Sequence, residues 1–117
     1  MSRTLKIYLE DINNSINKIN KYIKDMNQRE FLDNDLIYDA VIRNLQITGK
    51  ATKNIPDTIR IKYSHIDWRS IIGLRNIIVH VYFSIDDDIL WNTIKFDLIP
   101  LQKCIQTIQT TENLEIK

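Results

Sequence analysis

Apolar residues recur every three or four positions along most of the chain, which is the period of an amphipathic α-helix. The first stretch with this period begins at Leu5 and ends at Met26, and its other positions are mostly Asn, Lys and Asp. We therefore predict a long N-terminal helix with one buried face. That face consists of Leu5, Tyr8, Ile12, Ile16, Ile19, Ile23 and Met26.

A second stretch with helical period begins near Glu30 and has Gly49, Lys50 and Ala51 near its end. It is rich in β-branched residues, which are typical of strands, but it is longer than a strand and has the wrong period for one. We predict a second long helix. Its inward-facing residues are Ile37, Tyr38, Val41, Ile42 and Leu45.

The helical pattern is interrupted over residues 52–57. Pro56 has no amide hydrogen and restricts Ile55 to an extended backbone, so the main loop of the chain is predicted here. A short helix is predicted to follow, over residues 57–63.

A third helix is predicted from Trp68 to Tyr82, with Asp67 placed as an N-terminal cap or first-turn acid. Its residues at helical spacing are Trp68, Ile71, Ile72, Val79 and Tyr82.

The acids Asp86, Asp87 and Asp88 favour the positive N-terminal end of a fourth helix. They could also suggest a cation site, although charge that complements a helix dipole is the commoner role. Pro100 should kink or divide this helix. The apolar pattern then resumes at Leu101, Cys104, Ile105 and Ile108.

The predicted fold is an all-α bundle of four main helices plus one short helix, in a single domain over residues 1–117. The chain has two Gly and two Pro, too few for the turns of a β-rich fold. The lone Cys104 has no partner for an internal disulfide. The first ten residues contain charged side chains and no long apolar run, so we expect no secretory signal, no membrane span and a cytoplasmic location.

The charge balance limits the function. Sixteen Lys and Arg residues against 15 Asp and Glu residues give a formal net charge of +1, which attracts a polyanion only weakly at long range. This excludes a protein that binds nucleic acid through its overall charge. Nucleic-acid chemistry would need a local site, or an oligomer that gathers basic residues.

Reactive side chains are densest between Arg75 and Tyr82, where Asn76 follows the Arg and His80 precedes the Tyr by two positions. On a straight helix Arg75 and Tyr82 lie about 20° apart around the axis, whereas Arg75 and His80 lie about 140° apart. The guanidinium and imidazole would therefore converge only through a long Arg reach, a local distortion or a second chain. Gly73 would let another helix approach closely, as at an interface.

Each of these residues alone has an ordinary structural explanation. A single His is more often a core or surface residue than a catalyst, an Arg beside a core usually pairs with a carboxylate, and a Tyr can be a core aromatic. The combination of these residues at this spacing indicates a function more specifically than any one of them does.

Arg, four residues, His, one residue and Tyr, with Asn after the Arg, form a pattern that resembles the HEPN superfamily and, within it, the HepT toxins of HepT–MntA toxin–antitoxin pairs. The likeness extends over nearly the whole chain. Residues 40–49 are similar to the family's second helix, residues 68–76 to the approach to its motif, and residues 86–91 and 97–101 to its last helix. Lys50 departs from the family, where relatives commonly carry an acid.

The resemblance implies a homodimeric ribonuclease that needs no metal and cuts RNA, with tRNA as the expected substrate, in a cleft between two subunits. His80 would transfer protons, Arg75 would bind the phosphate and Asn76 would support them. Arg43, Lys50 and Arg69 are candidate RNA contacts around that cleft, although Arg43 could equally pair with an acid.

The family also implies that Tyr82 accepts AMP from a MntA-type nucleotidyltransferase antitoxin. The antitoxin would bring the ATP, so no cofactor is expected in this chain. The alternative is a catalytically silent HEPN module that supports a nucleotidyltransferase partner, and a third possibility is an unrelated all-α protein. His65 could touch RNA or lie in a solvated loop, and no His, Cys and carboxylate spacing fits a zinc site.

Overall fold

The computed structural model describes residues 4–76 and 86–112, and all regular structure in these two ranges is helical. The predicted all-α bundle is confirmed. In chain order the helices are α1 (Leu5–Ile23), α2 (Gln28–Asp33), α3 (Asp35–Lys53), α4 (Asp57–Lys62), α5 (Trp68–Gly73), α6 (Asp87–Asn92) and α7 (Leu98–Thr111). A π-helical turn, Thr93–Asp97, joins α6 to α7.

The core lies between α1, α3 and α7, and the α1–α3 contact is the most extensive. The predicted apolar face of α1 is confirmed, although the helix ends at Ile23 and Met26 follows it. Asp25 stops the helix with a φ of 64°, a left-handed conformation that Asp tolerates better than most residues. Fully buried core side chains from these helices include Leu9, Ile12, Ile16, Ile19, Leu45 and Ile105.

One polar contact is buried in the α1–α3 interface. The hydroxyl oxygens of Ser15 and Thr48 lie 2.7 Å apart, and Thr48 Oγ1 also lies 2.9 Å from the Asn44 carbonyl oxygen, to which it donates. Both hydroxyls thus have hydrogen-bond partners inside the core, and these bonds offset the cost of removing the hydroxyls from water where the two helices pack.

The predicted second helix is divided in two, because two Asn side chains act as N-caps. Asn27 and Glu30 form a reciprocal capping box that begins α2. Asn34 ends α2 in an extended conformation, and its Oδ1 accepts a hydrogen bond from Ile37 N at 3.0 Å. The prediction of one helix from about Glu30 was therefore wrong. At the other end α3 continues to Lys53, which shortens the main loop to residues 54–56.

The short helix α4 and the Asp67 cap of α5 are confirmed. The Asp67 carboxylate accepts hydrogen bonds from Ser70 N and Ser70 Oγ, and these hold the pKa of Asp67 below its ordinary value. Trp68 Nε1 donates to the carbonyl oxygens of Arg60 and Tyr63, both at 3.1 Å. These bonds attach the start of α5 to the end of α4.

The fourth predicted helix is also divided. Asp86 caps α6 by accepting from Ile89 N, as expected for the first of three acids. The division lies just before Pro100, in the π-helical turn, where Leu98 N donates to the Thr93 carbonyl oxygen. A proline ring clashes with the carbonyl four residues earlier in a regular helix, and the wide turn relieves that clash. Pro100 itself sits in the first turn of α7, where a missing N–H is tolerated.

In the two described ranges, no helix combines the length and the apolar character needed to cross a lipid bilayer.

Two leucines of α3 test the assignment of the core. Leu45 is 0% exposed and Leu36 is 85% exposed. We expect Leu45→Ala to lower the free energy of unfolding by about 2–5 kcal/mol, because it leaves a cavity. Leu36→Ala should change it by less than about 0.5 kcal/mol. Urea unfolding followed by circular dichroism measures both, and equal effects would contradict this packing.

Candidate active site

The first two residues of the reactive motif lie in a tight turn. After α5 ends at Gly73, residues 74–76 continue as a 3₁₀ turn that carries Arg75 and Asn76. This is a local distortion at the start of the motif, one of the three ways in which Arg75 and His80 were expected to converge. His80 and Tyr82 lie outside the described residues.

Helix α3 fixes the position of this turn through Gly49. A Cβ atom placed on Gly49 would lie 2.4 Å from Arg75 N, 2.9 Å from the Ile71 carbonyl oxygen and 3.0 Å from the Leu74 carbonyl carbon. These are backbone atoms, which cannot swing aside as a side chain could. Only glycine at residue 49 therefore allows α3 to lie against the Arg75 turn.

Gly73 makes no such approach to the residues that the structure describes. None of the described atoms lies within 4 Å of a Cβ built on Gly73. Its proposed contact with a second subunit stays a prediction, while the close backbone contact inside the chain belongs to Gly49.

The Arg75 turn and the exposed side of α3 line a cleft of about 460 Å³. We call it the phosphate cleft, after the ligand that we propose for it under the proposed function. Four predicted site residues meet there: two on α3 and two on the turn. The lining consists of Arg43, Gln46, Ile47, Lys50, Arg75 and Asn76.

The phosphate cleft is positively charged. Arg43 and Lys50 are exposed, and Arg75 is partly buried. Within residues 4–76 and 86–112, none of these three cations forms an ion pair with a carboxylate. The ion pairs that are present there lie elsewhere, for example between Lys62 and Glu112. The cleft therefore holds concentrated positive charge on a chain of net charge +1.

Arg69 is not brought to the phosphate cleft. It lines a separate cavity with Arg60, Ile61 and Trp68, on the α4–α5 side of the fold. It precedes Arg75 by six residues, and the tight turn after Gly73 separates the two side chains. The expected grouping of Arg69 with Arg75 is therefore not found within one chain, and its contact with RNA stays a prediction.

The remaining candidates have structural surroundings that differ from the cleft. His65 is exposed and lines a cavity with Asp67, Asp97 and Leu101. Asp86 is a helix cap, and Asp88 Oδ1 accepts a hydrogen bond from Gln28 Nε2 at 2.7 Å. Across the described part of the chain, no group of three or more His, Cys, Asp or Glu side chains could hold a metal ion.

Sequence reasoning missed three residues of this region. Gln46 and Ile47 line the phosphate cleft, and Gly49 supports it. The signal for the first two was their spacing from Arg43 and Lys50, which puts them on one side of α3. The signal for Gly49 was an isolated glycine inside a helical pattern, which often marks a close backbone approach.

Comparison with known proteins identifies the family of this chain. The model of the family described as "Ribonuclease HepT-like" matches residues 12–108. The chain belongs to the HepT-like ribonuclease family. Its enzyme class is therefore a HEPN-type endoribonuclease, and the resemblance drawn from the Arg75–Tyr82 motif is confirmed.

HepT-like relatives match over most of their length. A Methanocaldococcus jannaschii protein named as a candidate RNase is 38% identical over 106 residues, 91% of this chain and 97% of the relative. A Thermococcus cleftensis protein named "Probable ribonuclease HepT" is 37% identical over 102 residues, 87% of this chain and 93% of the relative. No solved structure matches this HepT-like chain.

The two glycines give a matched test of the geometry. We expect Gly49→Ala to destabilise the protein by about 1–3 kcal/mol, because the methyl group overlaps the Arg75 turn. Gly73→Ala has open space among the described residues of its own subunit and a backbone that Ala adopts, so it should leave the stability of the single subunit unchanged or raise it by up to about 1 kcal/mol. Thermal unfolding of both variants measures the difference, and a harmless Gly49→Ala would refute the close approach.

Proposed function

We propose that this HepT-like chain is the toxin of a toxin–antitoxin pair: a homodimeric endoribonuclease that cuts cytoplasmic RNA, with tRNA as the substrate class. Arg75, Asn76 and His80 carry the reaction. The observation that supports this most is the phosphate cleft, where Arg43, Lys50 and Arg75 meet beside the motif.

The charge of the cleft suits a phosphodiester. A guanidinium donates two parallel hydrogen bonds to a phosphate, and it offsets the charge that develops on the phosphate oxygens during the reaction. Arg75 takes this role, because its position is fixed by the backbone contact with Gly49. Asn76 follows on the same turn and donates an amide hydrogen bond to the phosphate or to a neighbouring group.

His80 supplies the proton transfer. Imidazoles in general can accept a proton near neutral pH, so His80 can take the proton of the ribose 2′-hydroxyl as that oxygen attacks the phosphorus. The bond from phosphorus to the 5′ oxygen breaks, and the leaving oxygen takes up a proton. The products are a 2′,3′-cyclic phosphate and a 5′-hydroxyl end. No step requires a metal ion or a cofactor in this chain.

Tyr82 is the site of neutralisation in this proposal. A MntA-type nucleotidyltransferase transfers AMP from ATP to the phenolic oxygen and releases pyrophosphate. The adduct adds bulk and negative charge close to the motif. It would therefore compete with the RNA phosphate for the cations of the phosphate cleft.

Cleavage assays test the catalytic roles. We expect His80→Ala to lower the rate of RNA cleavage by about 10²–10⁴-fold, the usual contribution of a general acid or base. Arg75→Ala should lower it by about 100-fold or more, because a charge-stabilising donor is lost. The control is Lys18→Ala, an exposed change on α1 outside the phosphate cleft, which should cleave at the wild-type rate.

Growth on induction provides the cellular readout. Wild-type protein should arrest growth when expressed alone, and His80→Ala should not. Folded wild-type protein that neither cleaves RNA nor slows growth would instead favour the silent HEPN module that supports a nucleotidyltransferase.

Mass spectrometry tests the modification. Coexpression with the cognate nucleotidyltransferase should add one or more AMP-sized mass increments that map to Tyr82. Tyr82→Phe should carry none and should remain toxic in the presence of the antitoxin. An increment on another residue, or none on wild-type protein, would refute the assignment of Tyr82.

A further inference from the structure

A second cavity adjoins the phosphate cleft, where the exposed face of α3 meets α1. It has a volume of about 330 Å³, and we call it the α1 cavity. Its lining consists of Tyr8, Asp11, Ile47, Lys50, Ala51 and Asn54. Ile47 and Lys50 line both cavities, so the two form one continuous surface that crosses α3.

The two cavities differ in their chemistry. The phosphate cleft contains three cations and no carboxylate in its lining. The α1 cavity has an aromatic ring from Tyr8, a carboxylate from Asp11 and an amide from Asn54, with Lys50 on the shared edge. A carboxylate repels phosphate but accepts hydrogen bonds from the amino groups of bases, and a Tyr ring offers a surface on which a base stacks.

The length of this surface along α3 also suits a nucleic-acid strand. Arg43 and Asn54, at the two ends of the surface on α3, are 11 residues apart in the sequence. At 1.5 Å per residue the helix spans roughly 16 Å between them. That is several times the 3.4 Å rise of one nucleotide in a stacked strand, so the surface has room for more than the scissile phosphate.

We infer that the α1 cavity binds an unpaired base of the substrate RNA, next to the phosphate held at Arg75. Tyr8 stacks on this base, and Asp11 and Asn54 face its polar edge. Lys50 holds the connecting phosphate as the strand crosses α3. This inference rests on the proposed function, and it explains how a chain with a net charge of +1 gains affinity for RNA without a large basic surface.

Tyr8 is the residue to change, and Tyr22 is its matched control. Both are partly buried tyrosines of α1 that pack against the core, but Tyr22 lines neither cavity. The probe is a fluorescein-labelled single-stranded 2′-O-methyl oligonucleotide of mixed sequence, about a dozen nucleotides long. It has no free 2′-hydroxyl, so binding is measured by fluorescence anisotropy without cleavage.

We expect Tyr8→Leu to weaken probe binding by about 5- to 100-fold, the usual effect of losing one stacked base. Tyr8→Trp should bind within about twofold of wild type, because stacking is kept. Tyr22→Leu should bind as wild type does. Unchanged binding by Tyr8→Leu, an equal loss in Tyr22→Leu, or no binding of the probe by wild type would each overturn the inference.

A second pair of variants avoids the core altogether. Asn54→Glu adds a negative charge to the exposed edge of the α1 cavity, and Thr58→Glu adds the same charge to an exposed residue of α4 outside both cavities. Asn54→Glu should weaken binding and Thr58→Glu should not. Equal binding by the two variants counts against the α1 cavity.

The outcomes separate this inference from the proposed function. If probe binding depends on Tyr8 but the protein cleaves no RNA, the result supports the base site and contradicts the proposed nuclease activity. If RNA cleavage depends on His80 but probe binding is unchanged by Tyr8→Leu, the result supports the nuclease activity and contradicts the base site.

Discussion

The contact between Gly49 and the backbone of the Arg75 turn is the constraint on which the site depends. A helix with any side chain at residue 49 would have to stand further from α5, since a Cβ there would meet Arg75 N at 2.4 Å. The phosphate cleft exists because α3 and the turn meet so closely that cations from both elements share one space. The buried Ser15–Thr48 pair serves the same end on the opposite side of α3, where it lets α1 pack closely.

The acidic and the basic side chains of this chain have different roles in the structure. Acidic residues cap helices: Asp67 begins α5, and Asp86 begins α6. Others pair on the surface, as Glu112 does with Lys62. Three cations meet in the cleft, and in the described ranges no carboxylate lines it or forms an ion pair with them. A near-neutral protein can therefore carry a local anion site, because a short-range field depends on which charges are neighbours and not on their sum.

The sequence was most informative where one physical effect dominated. The apolar period of α1 and the caps at Asp67 and Asp86 could be predicted because each depends on residues close together in the chain. The division at Asn34 was missed because an Asn inside a helical pattern is ambiguous until its side chain is seen to bond Ile37 N. The sequence could not show which of Gly49 and Gly73 makes a close backbone contact, since such a contact depends on elements that are distant in sequence.

The π-helical turn before Pro100 has a consequence for the last long helix. Leu90, Ile94 and Leu98 follow one another at intervals of four and are all buried. On a regular α-helix each such step would drift by about 40° around the axis, and the wide turn absorbs that drift. The wide turn thus holds one extra residue as a local bulge, and the helical residues on both sides of it keep their buried faces toward the core.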